Sequence, residues 1–583
     1  MSRHETLRVN IFFGCIILVS SLILYRLFIL SYIKHTAYSL SAAAQSDNIN
    51  NVLARGNIYF KDPLSEETNN LFLAATNKKF PTAHVVPNKI PPDSRNEIAE
   101  KLSGIVAADK EAVLKILNSN SSNLKVLARK ISNEQVNAVK GMGLKGVGVS
   151  YEMDRFYPGG NTGADVLGFL GYDSSGRSGQ YGVEAYYDSD LFGRVDDPSK
   201  APIESAKGLI SSAKGLFSKD YKPIPSPDIK INRPADLVLT IDKNIQAYIE
   251  DKAEELMAKW SATGVTIIVQ DPATGKILSI VDRPTFNPNS YSTAKPEMFL
   301  NRSTQEIFEP GSSFKPFTMA AGLDLAKITP QSFFHDTGSV TVAGYTIKNF
   351  SDKIFGSVTM SQVLEKSINT GVMHVENLVG DDNFLNYVVN MGFGQKTGID
   401  MPGELHGDIT NLYSGRKINY LTASFGQGIA VTPMQLINAY SAIANGGKLM
   451  RPYVVEKIIK ENGKEEITKP EIVAIPIGDK TSQKLKSMLV SVVDNGFDKA
   501  RIAGYDVAGK TGTAQIPDGK GGYLENEFIH DFVGFAPAYN PKFVVLIKMD
   551  KPQGITFAAD SLSPTFKDIA NYLIRYFNIP PTR

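Results

Sequence analysis

The chain has 583 residues and 42% hydrophobic content, enough for two to four globular domains at roughly 150 residues each. Lysine plus arginine (62) nearly balance aspartate plus glutamate (60), so no bulk charge argues for a nucleic-acid partner or a strongly acidic one. The single cysteine, Cys15, excludes a disulfide framework and a cysteine-based zinc site, and the seven scattered histidines give a metal no support.

The first predicted element is the apolar run Val9 to Tyr25, preceded by Arg3 and Arg8. It is about the shortest stretch that spans a bilayer, and Arg26 would sit at the interface. The best cleavage candidate, Ala42-Ala43-Ala44, lies far beyond it, so an uncleaved anchor is expected rather than a signal peptide. Arg3 and Arg8 on one side face Arg26 and Lys34 on the other, so charge alone does not orient it.

From about Asp47 to Asp228 the sequence is mixed and carries no catalytic constellation, so it reads as a binding or spacing module. Helices are expected over Ile98 to Leu117 and Ser132 to Val139, with glycine-rich punctuation from Gly141 to Gly148. Ser205-Ala206-Lys207-Gly208-Leu209 recurs as Ser212-Ala213-Lys214-Gly215-Leu216, which reads either as a short amphipathic helix or as a flexible linker. Pro223, Pro225 and Pro227 then mark a boundary.

Beyond the boundary, Leu237 to Asp242 reads as a strand, followed by a helix through Trp260. Gly264 to Gln270 and Ile277 to Val281 form a predicted hairpin across Pro272 to Gly275. Asp531 to Ala536 and Phe543 to Met549 form another pair, and the chain closes on a helix with Ser563 as N-cap and Phe566, Ile569, Ala570, Leu573, Ile574 and Phe577 on one face. Antiparallel strands, a terminal helix and a long helical insert between the sheet pieces predict an α+β domain.

Within the insert, Glu309-Pro310-Gly311 bends the chain into Ser312, with Lys315 one helical turn on. An adjacent desolvated amine that takes its proton would turn Ser312 into a nucleophile. The same spacing follows Ser31, Ser122, Ser211, Ser292 and Ser414, so by itself the pair is an ordinary helix start. Thr359 and Gln362 form a capping box for a helix that meets Ser367-Ile368-Asn369-Thr370-Gly371. Ser367 and Asn369 can face one cleft only if the helix breaks there, a break assigned to Asn369 to Gly371; the alternative is a plain helix C-cap. Gly504 to Ile516 is a strand interrupted by Gly509 and Gly512, where close approach of another backbone is expected. Lys510 and the Thr511 and Thr513 hydroxyls suit a carboxylate, and the Ser312 and Thr513 N–H groups suit an oxyanion hole. Lys396-Thr397-Gly398 repeats the tripeptide in a turn and reads as structural.

Ser312-x-x-Lys315, Ser367-x-Asn369 and Lys510-Thr511-Gly512, in this order, resemble the three motifs of penicillin-binding proteins and serine β-lactamases. Arg55-Gly56-x-Ile58, Arg155-Phe156-Tyr157-Pro158-Gly159, Gly182-Val183-Glu184 and the run from Asn349 to Gly371 extend the resemblance to class B penicillin-binding proteins, most closely the division-type peptidoglycan transpeptidases. Two departures stand out: Tyr59-Phe60-Lys61 replaces the family's acidic and basic pair, and the Ser205 to Leu216 repeats look inserted.

The resemblance implies an anchor at 1–35, a pedestal or dimerisation-like module at 36–230, and a β-lactamase-like transpeptidase domain at 231–583 with an antiparallel sheet flanked by helices and a mainly helical subdomain. It implies that Ser312, deprotonated by Lys315, attacks the carbonyl between the two terminal D-alanines of a peptidoglycan stem peptide. Lys510, Thr511, Gly512 and Thr513 would bind the substrate carboxylate, Ser367 would carry a proton to the leaving amine, and Asn369 would hold Lys315 or the substrate. No cofactor is implied. Expected partners are stem peptides, β-lactams, the membrane, a membrane-embedded glycan polymerase and other division proteins, with the catalytic domain outside the cytoplasmic membrane. Hydrolysis of the acyl-enzyme, as in a carboxypeptidase or β-lactamase, and a non-catalytic penicillin sensor or division scaffold are the alternatives.

Overall fold

The computed structural model describes residues 55–173, 176–192, 234–519 and 522–583. The run Val9 to Tyr25, the Ser205 to Leu216 repeats and Pro223, Pro225 and Pro227 lie outside the described residues. Among the described residues no helix is long and apolar enough to cross a membrane. The chain forms two compact units, one whose described part is residues 77–154, the other residues 55–76 with 155–583.

In the smaller unit, the single helix expected over Ile98 to Leu117 is two, Arg95–Val106 and Lys110–Asn118. Ala107 adopts a left-handed conformation at φ 52° and closes the first. Asp109 then caps the second by accepting from Ala112 N at 2.9 Å. Ser132 and Gln135 form a capping box that starts the next helix, Asn133–Gly141. Ile98, Leu102, Val113 and Leu117 pack with Val85 into a small core.

The larger unit begins with a buried ion network built from the Arg-Gly-x-Ile, Arg-Phe-Tyr and Gly-Val-Glu segments. Glu184 accepts from Arg55 Nε at 2.6 Å and from Arg155 Nε at 2.7 Å, and Tyr157 donates its hydroxyl to the same carboxylate at 3.2 Å. Arg55 also reaches Asp188 at 2.7 Å. These residues lie far apart in sequence, so the network fixes the start of the strand Ile58–Lys61, which pairs in parallel with Asp236–Asp242 and antiparallel with Leu71 to Ala75.

The site rests on a five-stranded antiparallel sheet. After helix α1 (Lys243–Trp260) come β1 (Gly264–Gln270) and β2 (Ile277–Arg283). The insert carries α2 (Lys315–Asp324), α3 (Met360–Glu365), α4 (Asn369–Val379) and α5 (Pro433–Ala444). Then β3 (Ala508–Pro517), β4 (Tyr523–Ala536), β5 (Phe543–Asp550) and α6 (Ser563–Tyr576) complete the unit. The strand order is β3-β4-β5-β1-β2, which leaves β3 on an edge.

Both faces of the sheet are covered, so its strands read as near-continuous apolar runs. Alternation along β5 divides the cores: Phe543, Val545 and Ile547 join Phe566 and Leu573 of α6, while Val544 and Leu546 face Phe314, Phe317 and Leu436 of the insert. The terminal helix departs from expectation at its ends. Leu562, not Ser563, is the N-cap, the Ser563 hydroxyl is buried without a partner, and Phe577 lies past the last turn. The buried helix start before Ser563, Ala558–Ser561, leaves no extended residue there for a serine cap.

Removing one member of a buried, hydrogen-bonded ion network strands the others, at a cost of about 3–5 kcal/mol. Burial alone would raise the Glu184 carboxyl; Arg155 and Arg55 outweigh it and hold it below the usual range. Its contribution is therefore complete above the unfolded carboxylate range and is lost as pH falls through the lower folded value. Glu184→Ala is expected to lower the full chain's unfolding free energy at pH 7 by that amount in urea titrations; a change under about 1 kcal/mol would contradict the network's role.

Candidate functional site

Ser312 lies in a 3-10 turn, Gly311–Phe314, that runs straight into α2. In that tighter helix residues three apart eclipse, so Ser312 and Lys315 occupy one side of the chain. The turn is clamped from beneath. Gly311 N donates to Gly426 O at 3.0 Å, Tyr440 of α5 donates its hydroxyl to Ser313 O at 2.6 Å, and Thr318 Oγ1 donates to Ser424 O at 2.7 Å. Gly426 is required at φ 81°, because a Cβ there would stand 2.2 Å from Gly311 O. Ser312 is partly exposed while Lys315 is fully buried.

The second segment breaks the helix two residues earlier than the sequence suggested. Ser367 itself takes the left-handed conformation at φ 55°, between α3 and α4, and Asn369 to Gly371 are the first turn of α4. A non-glycine residue held there stores about 1–3 kcal/mol of strain. The break turns the Ser367 carbonyl, the Ser367 hydroxyl and the Asn369 amide toward one point, the Lys315 amine. Lys315 Nζ lies 2.5 Å from Ser367 O, 2.7 Å from Asn369 Oδ1 and 3.1 Å from Ser367 Oγ. A neutral amine has two N–H donors, which Ser367 O and Asn369 Oδ1 accept; its lone pair is left for hydroxyl protons.

The third segment is the edge strand β3. Lys510 Nζ approaches the same Ser367 Oγ at 3.2 Å and also donates to Thr511 O at 3.2 Å. Thr513 Oγ1 accepts from Ala558 N at 3.1 Å. Gly512 marks a close approach, as the sequence suggested, although the neighbour is the protein itself. A Cβ there would stand 2.4 Å from Pro310 O and 2.0 Å from Asp531 Oδ2. From Gly311, a Cβ would meet Thr513 O and Ala514 Cβ at 3.3 Å, so the Ser312 turn and β3 are in van der Waals contact. The structure thus brings Ser312, Lys315, Ser367, Asn369, Lys510, Gly512 and Thr513 together, with Thr511 on the same strand. Lys396-Thr397-Gly398 stays apart, its Thr397 bonded to Glu404 at 2.5 Å in a turn.

Burial sets the electrostatics. Lys315 is driven well below the ordinary lysine range, first by loss of water and then by repulsion from Lys510. Burial lowers Lys510 to about 8, although the charge of Asp531 opposes the shift. Among the described residues no three His, Cys, Asp or Glu side chains gather as a metal site.

Several residues that hold the site carried no short-range signal. Asp336 accepts from Thr370 Oγ1 at 2.6 Å, Asn349 Nδ2 at 2.9 Å, Phe355 N at 2.8 Å and Gly338 N at 3.0 Å. Asn349 Oδ1 in turn accepts from Thr370 N at 3.1 Å, and Asn369 Nδ2 donates to Lys348 O at 3.0 Å. The pair therefore pins the first turn of α4 against the segment that precedes it. Burial raises the Asp336 carboxyl, and the bonds from Thr370, Gly338, Phe355 and Asn349 more than reverse that, leaving it below the usual range. Asp336→Ala removes charge-assisted bonds worth about 1.5–3 kcal/mol each in isolation and is expected to cost at least about 3 kcal/mol, read as a lower midpoint in urea; an unchanged midpoint would refute the role.

Residues 265–571 match the penicillin binding protein transpeptidase domain, and residues 53–198 match the penicillin-binding protein dimerisation domain. The chain is 34% identical to stage V sporulation protein D of Bacillus subtilis over 87% of this chain and 77% of that protein. It is 27% identical to the peptidoglycan D,D-transpeptidase FtsI homolog of Mesostigma viride, over 83% of each. Among solved structures, penicillin-binding protein 3 of Mycobacterium tuberculosis complexed with aztreonam superposes with a TM-score of 0.63 at 27% identity, covering 74% of this chain and 92% of that one. With a serine-lysine turn, a Ser-x-Asn break and a Lys-Thr-Gly edge strand meeting around one hydroxyl, inside a matching domain, the chain belongs to the class B penicillin-binding proteins.

Proposed function

We propose that the chain is a serine D,D-transpeptidase that cross-links peptidoglycan stem peptides during septal wall synthesis and is acylated by β-lactams. The observation that carries this reading is the placement of two buried amines, Lys315 and Lys510, at 3.1 and 3.2 Å from the single Ser367 hydroxyl. One amine serves as base and the other as cation. Lys315, kept neutral by burial and by Lys510, takes the Ser312 proton as Oγ attacks the carbonyl between the terminal D-alanines. The Ser312 and Thr513 N–H groups stabilise the oxyanion, and Lys510 with Thr511, Gly512 and Thr513 holds the substrate carboxylate. The proton passes from Lys315 through Ser367 Oγ to the leaving D-alanine amine, whose C–N bond breaks. The amine of a second stem peptide then attacks the Ser312 ester, forms the new amide and frees the serine.

In this reading the Val9 to Tyr25 run is a single-pass anchor in the cytoplasmic membrane. Residues 231–583 work outside it on a pedestal formed by 36–230, beside a membrane-embedded glycan polymerase and other division proteins. The relatives' names, which include a D,D-transpeptidase and a sporulation protein, support a role in septum-linked wall assembly.

A fluorescent penicillin is expected to label the full chain in detergent, and Ser312→Ala to abolish labelling; labelling of the alanine variant would refute the nucleophile. Lys315→Arg keeps a cation but cannot accept a proton, so acylation is expected to slow at least about 100-fold with the fold intact, and an unchanged rate would refute the base. The rate should rise with pH as Lys315 loses its proton and fall again near 8 as Lys510 loses its own, giving a bell; a rate that keeps climbing through pH 10 would contradict the cationic role of Lys510.

A further inference from the structure

Along β3, the residues that face the insert are Ala508, Lys510 and Gly512, and on β4 they include Val533 and Asp531. The register pairs Lys510 with Val533 and Gly512 with Asp531, so Asp531 is the diagonal neighbour of Lys510 on the same face. Such neighbours are about 7–8 Å apart at Cα, within reach for a lysine side chain. Across β4, Asp531 is directly opposite Lys548 of β5.

Asp531 is fully buried, and neither carboxyl oxygen has a hydrogen-bond partner. The groups that surround it explain why. The Ser313 hydroxyl faces it from the Ser312 turn and favours its anion, but its donated hydrogen bond goes to Pro310 O at 2.8 Å. The Tyr440 hydroxyl of α5 is committed to Ser313 O. Lys548 is committed to Asp550 at 2.5 Å and Glu306 at 3.4 Å. Lys510, by contrast, makes no ion pair with any described residue, since its two bonds go to a hydroxyl and a carbonyl. Gly512 lacks the side chain that would occupy the space of the Asp531 carboxyl, whose Oδ2 comes within 2.0 Å of where a Cβ would be. A buried carboxyl without hydrogen bonds contributes little to holding the sheet, and a deletion of this kind is often neutral or stabilising.

We propose that Asp531 is a positioning residue for the transpeptidase reaction: its carboxylate, on the strand beside Lys510 and on the same face, keeps Lys510 cationic, so that Lys510 can bind the substrate carboxylate while Lys315 stays neutral. This rests on the transpeptidase reading above. The coupling runs through charge alone. Anionic Asp531 favours the Lys510 ammonium, and the Lys510 ammonium disfavours a second ammonium on Lys315. Burial raises the Asp531 carboxyl to about 7, with the Ser313 hydroxyl, Lys510 and Lys548 pulling it back down, so the carboxylate forms as pH rises through neutrality, ahead of the range near 8 in which Lys510 loses its proton. Without it, Lys510 deprotonates at lower pH, and the alkaline side of the activity profile moves inward.

The test is the pH profile of acylation by a fluorescent penicillin for the full chain in detergent, compared with Asp531→Asn and Asp531→Ser. In both variants the alkaline midpoint is expected to fall by about one pH unit, which makes acylation roughly tenfold slower than wild type above it while the acid limb changes less. Urea midpoints are expected to stay within reach of wild type. Profiles that superimpose on the wild-type curve would overturn the proposal. So would failure of both variants to fold, because Asp531 would then be holding the sheet. If the wild-type chain takes no label at any pH, the transpeptidase reading itself fails; if it labels normally and the variants match it, only the role of Asp531 does.

Discussion

Two amines compete for one hydroxyl. Lys315 and Lys510 come from elements nearly two hundred residues apart, are almost completely buried, and converge on Ser367 Oγ. Two ammonium charges at that separation in a site with little water would repel by a few kcal/mol, and each would also lose its hydration. The site therefore cannot hold both charged at low cost. It resolves the conflict by giving Lys315 only neutral partners, a carbonyl, an amide and a hydroxyl, and by placing Lys510 on the strand whose neighbour carries Asp531. In the proposed reaction, a base and an anion-binding cation arise from the same residue type because their surroundings differ.

The rest of the domain supplies what this arrangement requires. The five-stranded sheet is covered on both faces, so β3 is a rigid edge with its Lys510 face turned toward the insert. The Ser312 turn is held against that edge by Gly426 and Tyr440 and touches it where Gly512 has no side chain. The Ser367 break is strained, and Asp336 with Asn349 anchors the start of α4 on its far side. Strain at Ser367 is tolerable because Lys315 bonds its carbonyl and the Asp336 cluster fixes the helix that follows.

Much of this was legible in the sequence, and the parts that were not share a cause. Strands such as Gly264–Gln270 and Phe543–Asp550 announced themselves through β-branched runs, and the Thr359 and Ser132 capping boxes through residues three apart. The three motifs were legible because their order along the chain carries information that no single one does. What failed were choices settled by distant neighbours. The left-handed Ala107 that splits one helix, the left-handed Ser367 where glycine at 371 looked the natural breaker, and the displaced cap before α6 are each decided by packing rather than by local preference. Asp336 carried no sequence signal, and Asp531 only opened a predicted strand; register and tertiary contacts show that one anchors α4 and the other lies diagonally beside Lys510.

The central claim is that Ser312, assisted by Lys315, carries the acyl group of a stem peptide. Its most direct test is mass spectrometry of the full chain quenched during turnover with a synthetic donor ending in D-alanyl-D-alanine, followed by proteolytic mapping of the adduct. The account predicts an ester on Ser312 containing the donor without its last residue, with one free D-alanine released per adduct. An adduct on any other residue, or D-alanine release with no covalent adduct under conditions that trap acyl-enzymes, would contradict it.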